Sequence, residues 1–404
     1  MTINKEFDYI VIGAGIIGIS FGLALLEKNP NKKVLIIDKE PEPGIHASGR
    51  NSGVLHAGFY YSPDSLKAKF CRLGNLELKN FCRENEIPIL ETGKVVVCQT
   101  KNDVARLEEL YRRGVANGVD IEILESSDLN KIEPAAKTIE KFIWSPTTAV
   151  GNPKLVITKL AEKFVKNGGK FQFNCAAKLV SAHEEVLIET IYGTYSATSI
   201  INAAGAYATN LARQVSIGNQ YACLPFLGAY KKSKLVDANP RRLVYPVPNP
   251  VNPFLGVHTT NTLNGEIKIG PTAFPVIGKE QYKFSYKFSG TEFLEFFRAA
   301  KALVKSDSVD LIGLAREEFI KLFTIPLLNR TKNLSNSLGT NKEWSRYPAG
   351  IRAQIINLDL NTIEMDYIIE SDKNVVHILN AVSPGWTSAL PFTRWVVENQ
   401  PLLR

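Results

Sequence analysis

The chain has 404 residues, of which 45% are apolar and 22% charged, a composition that suits a globular protein large enough for two domains. Its net charge of +8 comes from Lys and Arg interleaved with Asp and Glu, without a nucleic-acid-binding motif, so we expect no nucleic-acid partner. No apolar run reaches about 18 residues, and the first strand begins almost at once. We therefore expect a cytoplasmic protein without a membrane-spanning helix or a signal peptide.

The five cysteines show no C-x-x-C spacing and are odd in number. This pattern argues against a disulfide framework and against a zinc site, and it is typical of a reducing compartment. We expect no bound metal.

The N-terminal region predicts a strand, a glycine-rich turn, a helix and a second strand. A run rich in β-branched residues, Asp8–Ile12, leads directly into the G-x-G-x-x-G of Gly13–Gly18. The apolar spacing of Ile19–Glu27 favours a helix, and Lys33–Ile37 is typical of the next buried parallel strand.

This order of elements is the one that binds dinucleotides. The first glycine permits the tight turn, the second lets a pyrophosphate approach at the positive end of the helix, and the third lets helix and strand pack closely. The acidic residue that ends the second strand is placed to accept hydrogen bonds from an adenosine ribose. The predicted contacts are Gly13, Gly15, Ile16, Ile17, Gly18, Asp38 and Lys39.

A polar, glycine-rich segment follows, from His46 to Tyr61. Its glycines indicate a backbone that passes close to a flat ligand. Small residues at the end of a later buried strand, in Asn202–Ala206, suit the same close approach, and so does the turn Ser383–Ser388 before the last helix. The candidate cofactor contacts in these segments are Ser48, Arg50, Asn51, Ser52, Ala204, Gly205, Ser383, Pro384, Gly385, Trp386 and Thr387.

Between these segments the pattern changes. From Tyr221 to Ala273, short strands separated by Pro and Gly predict an antiparallel sheet. The helix predicted at Thr291–Lys305 is unusually apolar, so we expect a buried packing face, with a membrane-apposed face as the alternative. Further helices are predicted at Ser65–Asn85, Lys101–Gly118, Asn152–Lys166, Ala208–Val215 and Gly313–Phe323, and a short turn after Ser127–Leu129.

Eight segments together resemble the D-amino-acid-oxidase-type flavoprotein superfamily, and within it the L-2-hydroxyglutarate oxidase/dehydrogenase family. They are Phe7–Asp38, Ser48–Gly58, Ser65–Lys69, Asn202–Gly205, Tyr245–Pro248, Pro253–His258, Gly270-Pro271 and Ala349–Gln354. The similarity covers nearly the whole chain and is most specific over residues 245–258 and 349–354. It implies non-covalently bound FAD and oxidation of a 2-hydroxy acid, most closely L-2-hydroxyglutarate, to the 2-oxo acid by hydride transfer to flavin N5.

The positions of these segments predict an α/β fold with two interleaved domains. We assign residues 1–85, 149–220 and 346–404 to a discontinuous, Rossmann-like FAD-binding domain. Residues 86–148 and 221–345 are assigned to an α+β substrate domain, built on an antiparallel sheet with a helical cap.

The chemistry implied by the resemblance needs a base and a cation. A 2-hydroxy acid must present its C2–H to the flavin, lose its hydroxyl proton and have its carboxylate held. His56 and His258 are the candidate bases, and the sequence does not decide between them. Arg352 is the candidate carboxylate clamp, because a guanidinium binds both oxygens and the superfamily's Gly-x-Arg resembles this position. Tyr60 and Tyr61 either donate hydrogen bonds to the substrate or only pack.

One segment departs from the family pattern. The family's C-terminal loop commonly reads Ser-Pro-Ala-Ala-Thr-Ser, whereas this chain has Ser383-Pro-Gly-Trp-Thr-Ser388. A Trp in this loop can reshape the pocket, which bears on the substrate more than on the chemistry. Arg50 is a candidate contact for the flavin or for a second carboxylate of the substrate.

Other functions stay open. The same fold suits a flavin-dependent amino-acid or glycerol-3-phosphate oxidase or dehydrogenase, and a non-catalytic flavoprotein partner is a different class again. The electron acceptor is oxygen or a quinone. The basic charge and the apolar helix at 291–305 favour a peripheral contact with the inner face of a membrane.

Overall fold

The computed structural model describes residues 3–234, 236, 239–249, 254–283, 285–306, 309–335, 337–338 and 343–403, apart from the side chain of Lys5. Pro253, the first residue of the Pro253–His258 similarity, lies outside these ranges. Within them the strands are β1 Ile3–Ile12, β2 Val34–Ile37, β3 Val54–Leu55, β4 Ile89–Leu90, β5 Lys94–Val97, β6 Glu122–Glu125, β7 Lys141–Ser145, β8 Ala149–Gly151, β9 Lys170–Gln172, β10 Lys178–Ala182, β11 Glu185–Thr190, β12 Gly193–Asn202, β13 Tyr221–Lys234, β14 Leu243–Pro246, β15 His258–Asn261, β16 Glu266–Gly270, β17 Phe274–Pro275, β18 Ser345–Asn357, β19 Thr362–Ile363, β20 Ile368–Asp372 and β21 Val375–Asn380.

The helices of the same ranges are α1 Ile16–Lys28, α2 Leu66–Glu84, α3 Asp103–Ala116, α4 Ser126–Ile132, α5 Pro153–Lys166, α6 Ala208–Gln214, α7 Gly290–Val304, α8 Leu311–Lys321, α9 Thr324–Thr331 and α10 Gly385–Asn399. Short 3₁₀ turns occupy Gly205–Tyr207 and Pro401–Leu403.

An eight-stranded sheet is built around β1, which pairs in parallel with β2 and β12. β9 and β21 extend the parallel part, and β10, β11 and β20 are antiparallel. Both faces are covered, since Tyr9 and Val11 join the apolar cluster that contains α1, α5 and α10, while Ile10 and Ile12 join the cluster on the other face. Burial on both faces explains why the first strand is an uninterrupted apolar run.

A ten-stranded sheet runs in the order β19-β18-β13-β16-β15-β14-β5-β7-β6, with β17 attached to β13. Its pairs are antiparallel except β5 with β14. The prediction of an antiparallel sheet is therefore confirmed, whereas the prediction of only short strands is wrong for β13. That strand has 14 residues because it pairs with β18 along most of its length and with β16 at its end.

Two helices were missed. Residues after Ser127, predicted as a turn, form α4. The chain also forms α9 directly after the helix predicted at Gly313–Phe323, although Pro326 lies within it. Pro326 lies in the first turn of α9, where its missing N–H would have no helical acceptor in any case.

The apolar helix α7 buries a narrow stripe. Ala299, Ala302 and Leu303 are buried, whereas Phe293 is 40% exposed and Leu294 is 64% exposed. The prediction of a buried packing face is therefore wrong for part of this helix, whose aromatic and aliphatic residues extend to the surface.

The α/β fold and the interleaving are confirmed. Strands of the first sheet come from residues 3–37, 170–202 and 368–380, and strands of the second sheet come from the intervening parts of the chain. The exact domain boundaries remain a prediction, and β18, which begins at Ser345, pairs within the second sheet.

Candidate active site

The turn between β1 and α1 is shaped by glycine. Gly13 has a φ of +112°, a backbone conformation that L side chains rarely adopt. A methyl group on Gly18 would stand 1.8 Å from the carbonyl oxygen of Gly13, so helix and turn approach too closely for any side chain. Gly15 offers no side-chain cap to α1, which leaves first-turn N–H groups available to a phosphate.

Two predicted cofactor residues flank this turn. The backbone N–H of Ala14 donates to Oδ2 of Asp38 at 2.6 Å, and the N–H of Ile16 donates to Oγ of Ser48 at 2.9 Å. A carboxylate oxygen can accept more than one hydrogen bond, so Asp38 can hold the turn and still accept from a ribose.

Space for an extended cofactor lies beside the ends of β12 and β21. A methyl group on Gly205 or on Gly385 would meet no atom within 4 Å. Gly385 opens α10, and Pro384 before it provides no side-chain cap. The residues present therefore fit a dinucleotide along the carboxyl edge of the first sheet, with the start of α10 at its far end.

His56 lies in the loop after β3 and is held through its backbone by two helices. Its N–H donates to Oγ1 of Thr387 at 3.3 Å, and its carbonyl accepts from the amide of Asn75 at 3.2 Å. The ring atom Nδ1 is buried and has no hydrogen-bond partner among the described residues. Burial, and then the charge of Lys94, lower the pKa of His56 to about 3, so the ring is neutral at physiological pH.

His258 begins β15 and is 4% exposed. Its Nδ1 lies 2.8 Å from the carbonyl oxygen of Gly256, and its ring stacks on Tyr245 with centroids 3.7 Å apart. Because a carbonyl can only accept, Nδ1 carries the proton, and Nε2 of the neutral ring keeps a free lone pair.

The three predicted catalytic residues come together. Burial is the main cause that lowers the pKa of His258 well below its ordinary value, and the nearby charges of Arg352, His56 and Lys94 lower it further. The ring of Tyr245 stacks on His258 and lies 4.8 Å from Nζ of Lys94, and Arg352 binds the carbonyl of Thr272, two residues beyond Gly270, the strand partner of His258. Lys268 on β16 donates to the carbonyl of Ser52 at 2.9 Å, which joins this face of the second sheet to the loop that carries His56.

Arg352 on β18 is half-buried and carries no ion pair to any acid in the described ranges. One of its Nη atoms donates to the carbonyl of Thr272 at 3.2 Å, and its guanidinium lies 5.5 Å from the ring centroid of Phe254. Its other N–H donors remain available to an anionic ligand.

The two predicted substrate-binding tyrosines differ in their partners. The hydroxyl of Tyr60 is buried without a partner in the described part of the chain, whereas Ser383 lies near the hydroxyl of Tyr61 and acts on its pKa. Burial raises the pKa of both well above the ordinary value, so both hydroxyls keep their protons at physiological pH.

Lys94 was missed by the sequence analysis. It is fully buried at the start of β5, and its Nζ has no hydrogen-bond partner among the residues described. Burial lowers the pKa of Lys94 to about 7. The available signal was a lysine directly before the apolar run Val95–Cys98, and a polar residue in that position usually marks only the exposed beginning of a strand.

Several predicted cofactor residues contact other protein groups. Arg50 donates to the carbonyl of Ile45 at 2.9 Å and lies 4.1 Å from the ring of Tyr282, and Lys39 pairs with Glu40 at 2.8 Å. The amide of Asn51 donates to the carbonyl of Ser48, and Trp386 packs in the main core of the first sheet. Their roles towards a cofactor remain predictions.

A doubly wound nucleotide-binding sheet that faces a polar substrate sheet defines the class of dinucleotide-dependent oxidoreductases. The chain belongs to the FAD dependent oxidoreductase (DAO) family, whose model matches residues 8–399. It is therefore an enzyme that uses FAD. None of the described helices is long and apolar enough to cross a membrane.

Curated relatives match almost end to end. An L-2-hydroxyglutarate dehydrogenase of Indibacter alkaliphilus is 36% identical over 97% of this chain and 98% of its own. One of Salmonella houtenae is 32% identical over 98% of this chain and 94% of its own.

Solved structures share the fold. The dithionite-reduced L-alpha-glycerophosphate oxidase of Mycoplasma pneumoniae with FAD bound gives a TM-score of 0.76 at 23% identity, covering 98% of this chain and 94% of its own. Glycine oxidase of Geobacillus kaustophilus gives 0.72 at 17% identity, with the same two coverages.

Buried neutral histidines predict a loss of stability in acid. His377 is fully buried against the amide of Asn202, and burial lowers its pKa from 6.5 to about 4. Between these values the unfolded chain binds one more proton than the folded chain, so this group's contribution to stability is present above pH 6.5 and falls as the pH drops. The His377→Gln variant should lose about 1.4 kcal/mol per pH unit of this dependence between about pH 4.5 and 6.

Urea unfolding of the holoenzyme at several pH values measures this slope. His183 is exposed, so His183→Gln is the matched control and should keep the wild-type slope. Equal slopes for wild type and His377→Gln would contradict the assignment.

Proposed function

We propose that this enzyme oxidises L-2-hydroxyglutarate to the corresponding 2-oxo acid. One observation carries the proposal: Arg352 binds the carbonyl of Thr272, two residues beyond Gly270, the strand partner of His258, and Lys268 of the same sheet binds the loop that carries the neutral His56. A fixed cation and an unprotonated base are the two groups that oxidation of a 2-hydroxy acid requires from the protein. The curated relatives that carry the name of this substrate support its identity.

Arg352 holds the carboxylate next to the reacting carbon. Its guanidinium is half-buried, oriented by the carbonyl of Thr272 and free of ion pairs with described acids, so a substrate carboxylate is its natural partner. This contact orients C2 of the substrate.

His56 accepts the hydroxyl proton. Its loop lies between the two segments predicted to contact the flavin, Ser48–Ser52 and Ser383–Thr387, and Thr387 binds its backbone directly. Nδ1 of His258 is already engaged by Gly256, and its ring stacks on Tyr245, so we assign that residue to shaping the pocket and not to the proton transfer. Bound FAD supplies the acceptor for the hydride from C2.

Amino-acid and glycerol-3-phosphate oxidation are the competing enzyme activities, and both occur in the names of proteins that share the fold. A flavoprotein without turnover is the remaining alternative. Fold similarity does not discriminate among these functions.

The test is an anaerobic absorbance spectrum of the FAD-loaded enzyme before and after addition of L-2-hydroxyglutarate. We expect the oxidised-flavin band to disappear with this acid and to persist with its D-enantiomer. A band that persists with both acids but disappears with an amino acid or glycerol-3-phosphate would replace the proposed substrate. A band that no candidate bleaches would favour the non-catalytic alternative.

Replacing Arg352 should mainly weaken substrate binding. We expect Arg352→Met to raise the substrate concentration for half-maximal flavin reduction by on the order of 100-fold, because a buried charge pair loses one partner. Arg346→Met is the matched control, since Arg346 lies on the same strand and is exposed. Equal effects of the two variants would contradict the proposed role of Arg352 in binding the substrate carboxylate.

We also propose that the enzyme docks on an anionic membrane surface and passes electrons to a quinone. Helices α7 to α9 carry exposed apolar residues, here called the apolar helix surface, in which Phe293 contacts Phe297 and Phe319 contacts Phe323; the basic residues Arg298 and Lys301 lie on α7, and Lys305 follows it. Its exposed members are Phe293, Leu294, Phe297, Ile312, Phe319, Ile320, Phe323 and Ile325. Contiguous exposed apolar side chains flanked by basic residues are typical of helices that lie in a membrane interface.

A vesicle co-sedimentation assay with and without anionic lipid tests this contact. Leu294→Asp should release most of the bound protein, because it places a carboxylate in the interface next to anionic headgroups. Ile191 is 77% exposed, against 64% for Leu294, but lies in the turn between β11 and β12 of the first sheet, so Ile191→Asp should bind like wild type. If wild type neither binds vesicles nor reduces a quinone analogue, oxygen becomes the acceptor to assay.

A further inference from the structure

The ammonium group of Lys94 stands in a pocket of aromatic rings. Its Nζ lies 4.4 Å from the ring centroid of Phe59, 4.5 Å from that of Tyr60 and 4.8 Å from that of Tyr245. The side chain is fully buried, and no acceptor in the described ranges bonds its Nζ. Ring faces stabilise a cation only in part, so this group lacks the hydrogen bonds that a buried charge requires.

Other polar atoms around the same pocket also lack partners. The hydroxyls of Tyr60 and Tyr245 and Nδ1 of His56 are buried without a hydrogen bond to any described residue. Buried polar groups in native proteins are normally satisfied, so several unsatisfied groups in one place indicate a ligand that satisfies them.

The charges around the pocket specify the sign of that ligand. No described carboxylate bonds Nζ of Lys94. Tyr245 lies 4.8 Å from this Nζ and stacks on His258, whose strand partner Gly270 stands two residues before the Thr272 carbonyl that Arg352 binds. The site therefore holds two cationic side chains that make no ion pair with an acid in the described part of the chain. An anion with two negative ends matches this arrangement.

We propose that Lys94 binds the second carboxylate of the substrate, with Tyr60 and Tyr245 donating to the same group, so that the pocket selects 2-hydroxy dicarboxylic acids. This inference rests on the proposed function, in which Arg352 holds the carboxylate beside the reacting carbon. A carboxylate has about four acceptor positions, enough for an ammonium and two phenolic hydroxyls.

Arg50, the residue predicted from the sequence for a second carboxylate, is engaged elsewhere. Its Nε donates to the carbonyl of Ile45, one Nη reaches the carbonyl of Ala349 at 3.5 Å, and its guanidinium lies over the ring of Tyr282. Lys94 is therefore better placed than Arg50 to bind the second carboxylate.

Such a pocket discriminates between ligands, because a ligand without the second carboxylate leaves buried polar groups of the protein without a hydrogen-bond partner. A monocarboxylic acid of the same length would place a methyl group against a buried ammonium and two buried hydroxyls, and all three would remain unsatisfied. Sites built to pair polar groups reject analogues that lack them far more strongly than apolar pockets reject a change in size.

The experiment compares L-2-hydroxyglutarate with L-2-hydroxyvalerate, which has the same carbon chain with a methyl group in place of the second carboxylate. We expect wild type to prefer the diacid strongly. In Lys94→Met, kcat/KM for the diacid should fall by on the order of 100-fold, while kcat/KM for L-2-hydroxyvalerate stays within a few-fold of wild type. An equal loss for both acids would overturn the proposal and make Lys94 a general positioning residue.

A binding measurement separates this proposal from the proposed function. Glutarate lacks the reacting hydroxyl, so its affinity for the FAD-loaded enzyme, measured by calorimetry, reports the pocket without turnover. Lys94→Met should weaken glutarate binding and leave the binding of valerate, its analogue with a methyl group in place of one carboxylate, unchanged. If wild type oxidises neither acid, the proposed function fails, and the glutarate comparison still decides the role of Lys94.

Two further variants test the proposal in case Lys94→Met does not fold. Lys79 on α2 is also buried, but its Nζ lies 3.1 Å from a carboxylate oxygen of Glu91. Lys79→Met should therefore leave the preference between the two acids unchanged. Tyr245→Phe removes only a hydroxyl and should lower kcat/KM for the diacid about 10-fold without affecting L-2-hydroxyvalerate, since a hydrogen bond to a charged group is lost. If both variants retained the full preference for the diacid while Lys94→Met did not fold, Tyr245 would have no part in the pocket and the proposal would fail.

Discussion

The hydroxyl of Thr387 joins the parts of the molecule on which the site depends. It donates to the carbonyl of Val54 at 3.3 Å and accepts from the N–H of His56, so the first turn of α10 is fixed to the loop after β3. Gly74 makes this possible, because a methyl group there would stand 2.1 Å from the carbonyl oxygen of Thr387. Without that close approach of α2 to α10, the amide of Asn75 could not reach the carbonyl of His56.

In the proposed mechanism, positive charge on the second sheet both attracts the substrate and keeps the base His56 unprotonated. Lys94, Lys268 and Arg352 come from three strands, and burial lowers the pKa of Lys268 to about 8. The charge of Lys94 adds to burial in lowering the pKa of His56, the proposed base, to about 3. One arrangement of cations thus provides anion binding and a neutral imidazole at the same pH, which are the two conditions for removing a proton from a bound hydroxy acid.

Local patterns predicted the nucleotide-binding half well. The glycine turn, its helix and Asp38 follow from chain geometry over a few residues, and Ser65 does cap α2 as its sequence indicates. Lys94 could not be found in this way, because its importance depends on the rings of Phe59, Tyr60 and Tyr245, which approach it only in the fold. The length of β13 was likewise set by pairing with strands distant in sequence, which local turn residues do not report.

The apolar helix surface and the candidate site lie on opposite sides of one apolar cluster. The buried stripe of α7, including Ala299 and Leu303, belongs to the same apolar cluster as Phe226 and Phe254, and the ring of Phe254 lies against the guanidinium of Arg352. A membrane docked on the outer side of α7 would therefore lie only a helix and one layer of side chains from the carboxylate clamp. Exposed phenyl rings on α7 are costly in water. The proposed membrane contact would bury these rings beside the site, which an isolated surface patch elsewhere on the molecule would not achieve.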